Sequence, residues 1–466
     1  YGTFVNALQW LYKDSRSGHL SQLRLKLQRQ ERALAAGWCQ IIDTLTPLIV
    51  EVKEEWDLLA EQLYQLLASG SDPGQSEIGQ PVLRIRKDKL PNGWSSLQAM
   101  EDNIYVKTGT VAKQLDRMLS DIKEVQEEYD AQSNVTDLSG IVKDLNRARD
   151  ALHFFMTQSD DTYVYWLEAS PVGKTKSITV NSVPTDVSAA LREFFFEAKE
   201  SIVMTSATLS VNKSFQYTCE QLGIKTDSPS NKLKTVQLAS PFNYREQALV
   251  VIPRDFPSIK GAGSEAHFVD KLVDSLADIA QQTKGRMLVL FTSNRMLKAT
   301  HPGLKEKLAE HNIQVLGQGV DSSNRSKLTR MFQNHPACVL LGTSSFWEGV
   351  DIPGDALTCL AIVRLPFQPP NHPLVEAKTE FIKRQNANPF MKLSVPQAVI
   401  RFKQGFGRLV RRAGDKGIVV IYDTRVIDTN YGRYFLYSLP GPKIEHMPTQ
   451  KLVTRIKEWM SGGEEA

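Results

Sequence analysis

The sequence predicts an α/β protein with a parallel sheet, preceded by a mainly helical domain. Three observations carry that expectation. Beyond residue 160 short apolar strings alternate with amphipathic helical stretches, whereas before it apolar residues recur at spacings of three and four with few strand signals. The chain is also long, 466 residues with 41% hydrophobic and 23% charged composition, enough to bury more than one core.

In the helical part, residues 41–67 and 104–119 carry the apolar stripe of long helices. Turn chemistry at Asp72-Pro73-Gly74 and at Pro91-Asn92-Gly93 flanks an alternating run over 82–85, which predicts a small ribbon inserted between helical pairs. Past residue 160, TYVYWLEA and SITVNSV predict two paired strands, 186–198 a helix, and 201–204 a buried strand running into Thr205-Ser206-Ala207-Thr208-Leu209. Strands are then expected over 248–252, 287–291, 313–316, 338–341, 358–363 and 417–422, with helices over 267–280, 304–311, 325–332 and 398–412. Such alternation places functional loops at the carboxyl ends of parallel strands.

Charge is divided unevenly. Residues 1–165 carry 18 basic and 24 acidic side chains, the remainder 38 and 28, so a net of +4 conceals −6 followed by +10. A basic excess of that size suits either an anion-binding face or a plain solvated surface. Cys39, Cys219, Cys338 and Cys359 lie far apart with no CxxC pair, and are expected to be reduced and buried. No apolar run is long enough to cross a bilayer, which suggests a cytoplasmic protein. The opening YGTFVNALQWLYK reads as the middle of a longer polypeptide.

Four strings bear chemistry. In QGFGRLVRRAGDKG, a helical pattern would set Gln404, Gly407, Arg408 and Arg411 on one face, two guanidiniums and an amide suited to a transferring phosphoryl group and its water. LLGTSSFWEGVDIPG is a strand entering a small-residue loop. There Gly342, Thr343 and Ser344 can contact phosphate or sugar, Glu348 and Gly349 follow, and Asp351 can accept from a ribose hydroxyl or hold the arginine helix. In SIVMTSATLS, Ser206 and Thr208 are candidate relays between nucleotide and nucleic acid, or ordinary turn residues. In LVLFTSNRML, Thr292, Ser293 and Asn294 open a helix, where capping and phosphate contact are equal readings.

The order SAT, FTSN, EGxD, QxxGRxxR resembles the later motifs of a superfamily 2 helicase. TSATLS, SSFWEGVDIPGDALT, RLPFQPPNHPLVEAK and QGFGRLVRR are most similar to the DinG and XPD group, with wording nearest that of Gram-positive DinG. The likeness covers roughly residues 165–466. It implies a RecA-like second motor domain over 211–466, a C-terminal strip of the first motor domain over 161–210, and an Arch-like helical domain over 1–160. It further implies an ATP-dependent DNA helicase moving 5′ to 3′ on single-stranded DNA, with Arg408 and Arg411 inserting into ATP and Mg2+ held by the first motor domain of the same polypeptide.

Departures from the family pattern bound that expectation. The chain has no GxxxxGK[ST] loop, the Gly173-Lys174 pair lacking the required spacing, and no DEAH box. Alone it is expected neither to bind nor to turn over ATP. None of the four cysteines has neighbours suited to the iron–sulfur cluster of some relatives, and none is expected; Gram-positive relatives instead imply an N-terminal 3′–5′ exonuclease. The competing readings are a single-stranded-DNA-binding or regulatory part without a working motor, and a doubly wound enzyme of small phosphorylated molecules. The latter needs a Gly-rich fingerprint that the chain lacks.

Overall fold

The computed structural model describes residues 2–11, 18–29, 33–70, 81–127, 129–170, 177–225, 233–259, 264–348, 352, 357–412 and 414–461. Two compact units divide the chain, the first comprising residues 1–76, 80–185 and 371–377 and the second 77–79, 186–370 and 378–466.

The first unit is built on five helices, α1 (Gly2–Leu11), α2 (His19–Gln28), α3 (Ala33–Gly70), α4 (Trp94–Glu124) and α5 (Gln132–Thr157). Both expected apolar stripes fall inside α3 and α4, and on α4 Leu97, Ile104, Val111, Leu115 and Ile122 are buried at helical spacing. Gly93, at φ +80, makes the turn before α4, with the Trp94 amide donating to the Pro91 carbonyl. The expected ribbon is present as β1 (Val82–Ile85), antiparallel to β2 (Tyr163–Ser170), which pairs antiparallel with β3 (Ser177–Pro184). The Asp72-Pro73-Gly74 turn lies outside the described residues. Strands β2 and β3 pack in this unit because Tyr165, Leu167 and Ile178 complete the helical core. The compact unit therefore runs to residue 185 rather than 160.

The second unit holds a seven-stranded, all-parallel sheet in the order β10-β4-β9-β8-β5-β7-β6. Its strands are β4 (Ala248–Pro253), β5 (Met287–Leu290), β6 (Gln314–Gly317), β7 (Cys338–Gly342), β8 (Cys359–Ile362), β9 (Gly417–Ile421) and β10 (Lys443–Met447). Six coincide with the expected strands to within a residue or two. The seventh, KIEHM, is polar and only partly buried, so it carries no strand signal. Both faces are covered, one by a core containing Phe346, Trp347, Phe402 and Phe406 and the other by one containing Phe268, Leu272, Leu304 and Tyr422. This is the RecA-like α/β arrangement. All four cysteines are free and buried, and among the described residues no helix is long and apolar enough to cross a membrane.

Three expected elements differ. Residues 201–204 form no strand, because no described strand pairs with them, and Ser201, Val203 and Met204 are exposed. The 186–198 helix is a short α-helix, Ser188–Leu191, widening into a π-helical turn over Arg192–Phe196. The 398–412 helix is Val395–Phe406 and stops before the arginines.

Candidate functional site

The carboxyl end of β7 is where the site begins. At Gly342 an added Cβ would lie 2.5 Å from Phe346 Cγ, so only glycine lets the Ser344–Trp347 helix fold back on the strand. Thr343 donates both its amide, at 2.9 Å, and its hydroxyl, at 3.0 Å, to Gln318 Oε1. The Gln318 Nε2 donates to Ser345 Oγ at 2.9 Å, so one amide from the end of β6 braces the loop on both sides of Ser344. Trp347 is buried, donates Nε1 to the Phe291 carbonyl at 3.0 Å, and packs on Gly405, where a Cβ would meet its ring at 2.8 Å. Glycine at 405 thus sets the approach of the Val395–Phe406 helix to this loop.

That helix delivers Gln404, whose Oε1 is buried with no hydrogen-bond donor among the described residues. Their spacing predicts one shared helical face, but Gln404, Gly407, Arg408 and Arg411 do not share one. Gly407 closes the helix, and the Arg408 and Leu409 amides turn back to the Gly405 and Phe406 carbonyls at 3.1 Å. Asp415 then captures the Arg411 and Arg412 amides on one carboxylate oxygen, at 2.8 and 2.9 Å, in competition with helix continuation. Arg411 therefore stands on a carboxylate-pinned turn, and Arg408 on the turn that closes the helix before it. Arg408 Nη2 donates to the Trp347 carbonyl at 3.4 Å, so the turn contacts the β7 loop directly.

Ser206 and Thr208 lie on the exposed turn after 201–204, their hydroxyls 3.2 Å apart, with the Thr208 amide donating to Ser206 Oγ. Lys403, half-buried on the Val395–Phe406 helix, donates Nζ to the Ser210 carbonyl at 2.9 Å and ties this turn to the arginine-bearing element; burial lowers its pKa. Ser206, Thr208, Lys403 and Gly407 line one open cleft of about 1860 Å³. Thr292, Ser293 and Asn294 follow β5 beside the β7 loop, the Phe291 amide donating to the Gly342 carbonyl at 2.8 Å, and Ser293 caps its helix by accepting the Met296 amide at 3.5 Å. Ser344 is exposed, and Glu348, also exposed, offers its carbonyl to Arg325 at 3.4 Å. Gly349 and Asp351 lie outside the described residues.

Sequence reasoning missed Gln318, Lys403 and Asp415. Each acts through backbone partners that no local motif announces; only Asp415, three or four residues from the amides it holds, has the spacing of a side-chain-to-backbone turn.

Comparison with known proteins adds a family model, the helicase C-terminal domain, matching residues 276–441. Bacillus subtilis 3'-5' exonuclease DinG is 34% identical over 394 residues, 81% of this chain and 40% of its own length. Residues 276–441 are a helicase C-terminal domain, and the chain is similar to DinG and YoaA proteins. The Haemophilus influenzae ATP-dependent DNA helicase YoaA, another such relative, is 38% identical over 60% of this chain and 41% of its own length. A solved XPD helicase aligns over 92% of this chain and 64% of its own at 16% identity, with a TM-score of 0.47. The chain spans about two fifths of the length of these curated relatives. In this helicase C-terminal domain fall β5 to β9 and every predicted site residue from Thr292 to Arg411, while Ser206 and Thr208 precede it.

Proposed function

We propose that this chain supplies the arginine-bearing half of the ATP site of a DinG-type DNA helicase that moves 5′ to 3′ on single-stranded DNA. The observation that carries the reading is Gln404 Oε1, a buried acceptor without a donor among the described residues, four residues before Arg408 at the end of the helix that leads into the arginines. An unanswered buried oxygen costs about 1–3 kcal/mol, which a water donating to it recovers. Guanidiniums beside such a water suit phosphoryl transfer, where Arg408 and Arg411 neutralise charge on the equatorial oxygens and Gln404 orients the attacking water.

The residues present fit half of the nucleotide. Glu348, Gly349, Asp351 and Gly407 would bear on its sugar and the arginine turn, but nothing in the chain matches a phosphate loop or a DEAH box for Mg2+. Those come from the first motor domain of the same polypeptide. Exposed Val203, Val236 and Leu238, at 89%, 71% and 85%, support a covering partner beside Ser206 and Thr208. Single-stranded DNA is met by helix starts and loops, among them Thr292–Asn294 and Thr343–Ser344, on the part with net charge +10. Four scattered, buried cysteines argue against an iron–sulfur cluster, and the polypeptide works in the cytoplasm. The Bacillus relative's name supports a fused 3′–5′ exonuclease.

The missing phosphate loop supports a second reading, a single-stranded-DNA-binding or regulatory part without a motor. DNA-stimulated ATP hydrolysis by the complete polypeptide separates them. The first reading expects turnover that Arg408→Ala or Arg411→Ala lowers roughly 10³-fold at unchanged DNA affinity. Salt-sensitive DNA binding with no ATP hydrolysis establishes the second.

A further inference from the structure

A group of side chains in the helical unit is unused by anything described above. Glu101 and Asp102 on α4 face His153 on α5, with His153 Nδ1 3.0 Å from Glu101 Oε2 and 4.0 Å from Asp102 Oδ1. One ligand atom from each of the three lies within 4.8 Å of the others. Glu101 is only 1% exposed, yet its Oε1 has no hydrogen-bond partner among the described residues. That oxygen shares its carboxyl carbon with Oε2, the atom that meets His153.

A fully buried carboxylate half-satisfied by one imidazole is a poor arrangement on its own. Burial makes its unpartnered oxygen costly, so the site favours a positive charge there. Nearby Arg149 does not supply it, since its guanidinium pairs with Asp150 at 2.8 Å and lies over the Tyr105 ring. Tyr105 stacks on His153 with ring centroids 4.2 Å apart, holding the imidazole plane towards the carboxylates. We propose that Glu101, Asp102 and His153 form a Zn2+ site that clamps α4 to α5. Two oxygens and one nitrogen, with a fourth position open, are a donor set that this ion takes in tetrahedral geometry. Glu101 is the buried anchor, and Asp102, with a side chain 64% exposed, closes the solvent side.

The test is calorimetric titration of the chelator-treated chain with Zn2+, alongside Co2+ absorption as a readout of geometry. Saturable binding of one ion per chain, a visible Co2+ band and a raised Tm are expected. Asp102→Asn, at an exposed position, should fold normally and weaken binding at least about tenfold, and His153→Ala should abolish the Co2+ band. Absence of one-to-one binding, or binding that neither variant changes, overturns the proposal, the latter by placing the ion on other histidines.

Discussion

Two short apolar strings in the α/β unit, SIVM at 201–204 and ALVVIP at Ala248–Pro253, both read as buried strands. The second lies between β10 and β9 and is buried along its whole length, whereas the first pairs with nothing described and leaves Val203 89% exposed. A β string encodes a requirement for neighbours on either side, and the chain meets it only where six other parallel strands are supplied. Exposure at 201–204 therefore marks an apolar string that the described sheets leave unpaired.

Truncation at each region tests that contrast most strongly. Phe402→Ala, in the core against β5 and β9, should destabilise the α/β unit by about 3–5 kcal/mol in urea unfolding, while Val203→Ala should change it by less than about 0.5 kcal/mol. Equal losses would show that 201–204 is packed after all. Next in size, Asp415→Ala frees the Arg411 and Arg412 amides and lets the arginine turn drift. In the complete polypeptide this should cost about 10²-fold in ATP turnover, the scale of an ångström-level misplacement, with little change in KM. A normal rate would detach the turn from catalysis.

The smallest expected effect is acidic. Burial raises the Asp423 carboxyl, but the Arg425 ion pair and the Leu365 amide outweigh it, so the folded pKa lies below the ordinary range. Such a group stabilises the fold above its unfolded pKa of about 3.9, and that contribution is lost as pH falls through the folded value. The urea midpoint should drop between pH 6 and pH 3, and Asp423→Asn should flatten that dependence.

Legibility in the sequence followed the range of the forces involved. Buried parallel strands such as β7 and β9 are continuous apolar runs and can be read directly, as can the stripes of α3 and α4. β10 was not legible, because an edge strand needs little apolar surface. The site residues were legible as types, but their arrangement was not. A helical spacing placed Arg411 one turn from Arg408, and Asp415, a side chain competing for the same amides, ended the helix first. Lys403 reaching Ser210 across 193 residues has no local signature at all.

The central claim is that Arg411 meets a phosphoryl group through paired N–H donors, where charge alone is insufficient. Arg411→Lys in the complete polypeptide tests it most directly, since lysine keeps the charge and removes the planar fork. DNA-stimulated ATP turnover should fall by about 10²-fold or more with DNA affinity preserved. A lysine variant turning over ATP at the parent rate would contradict the account.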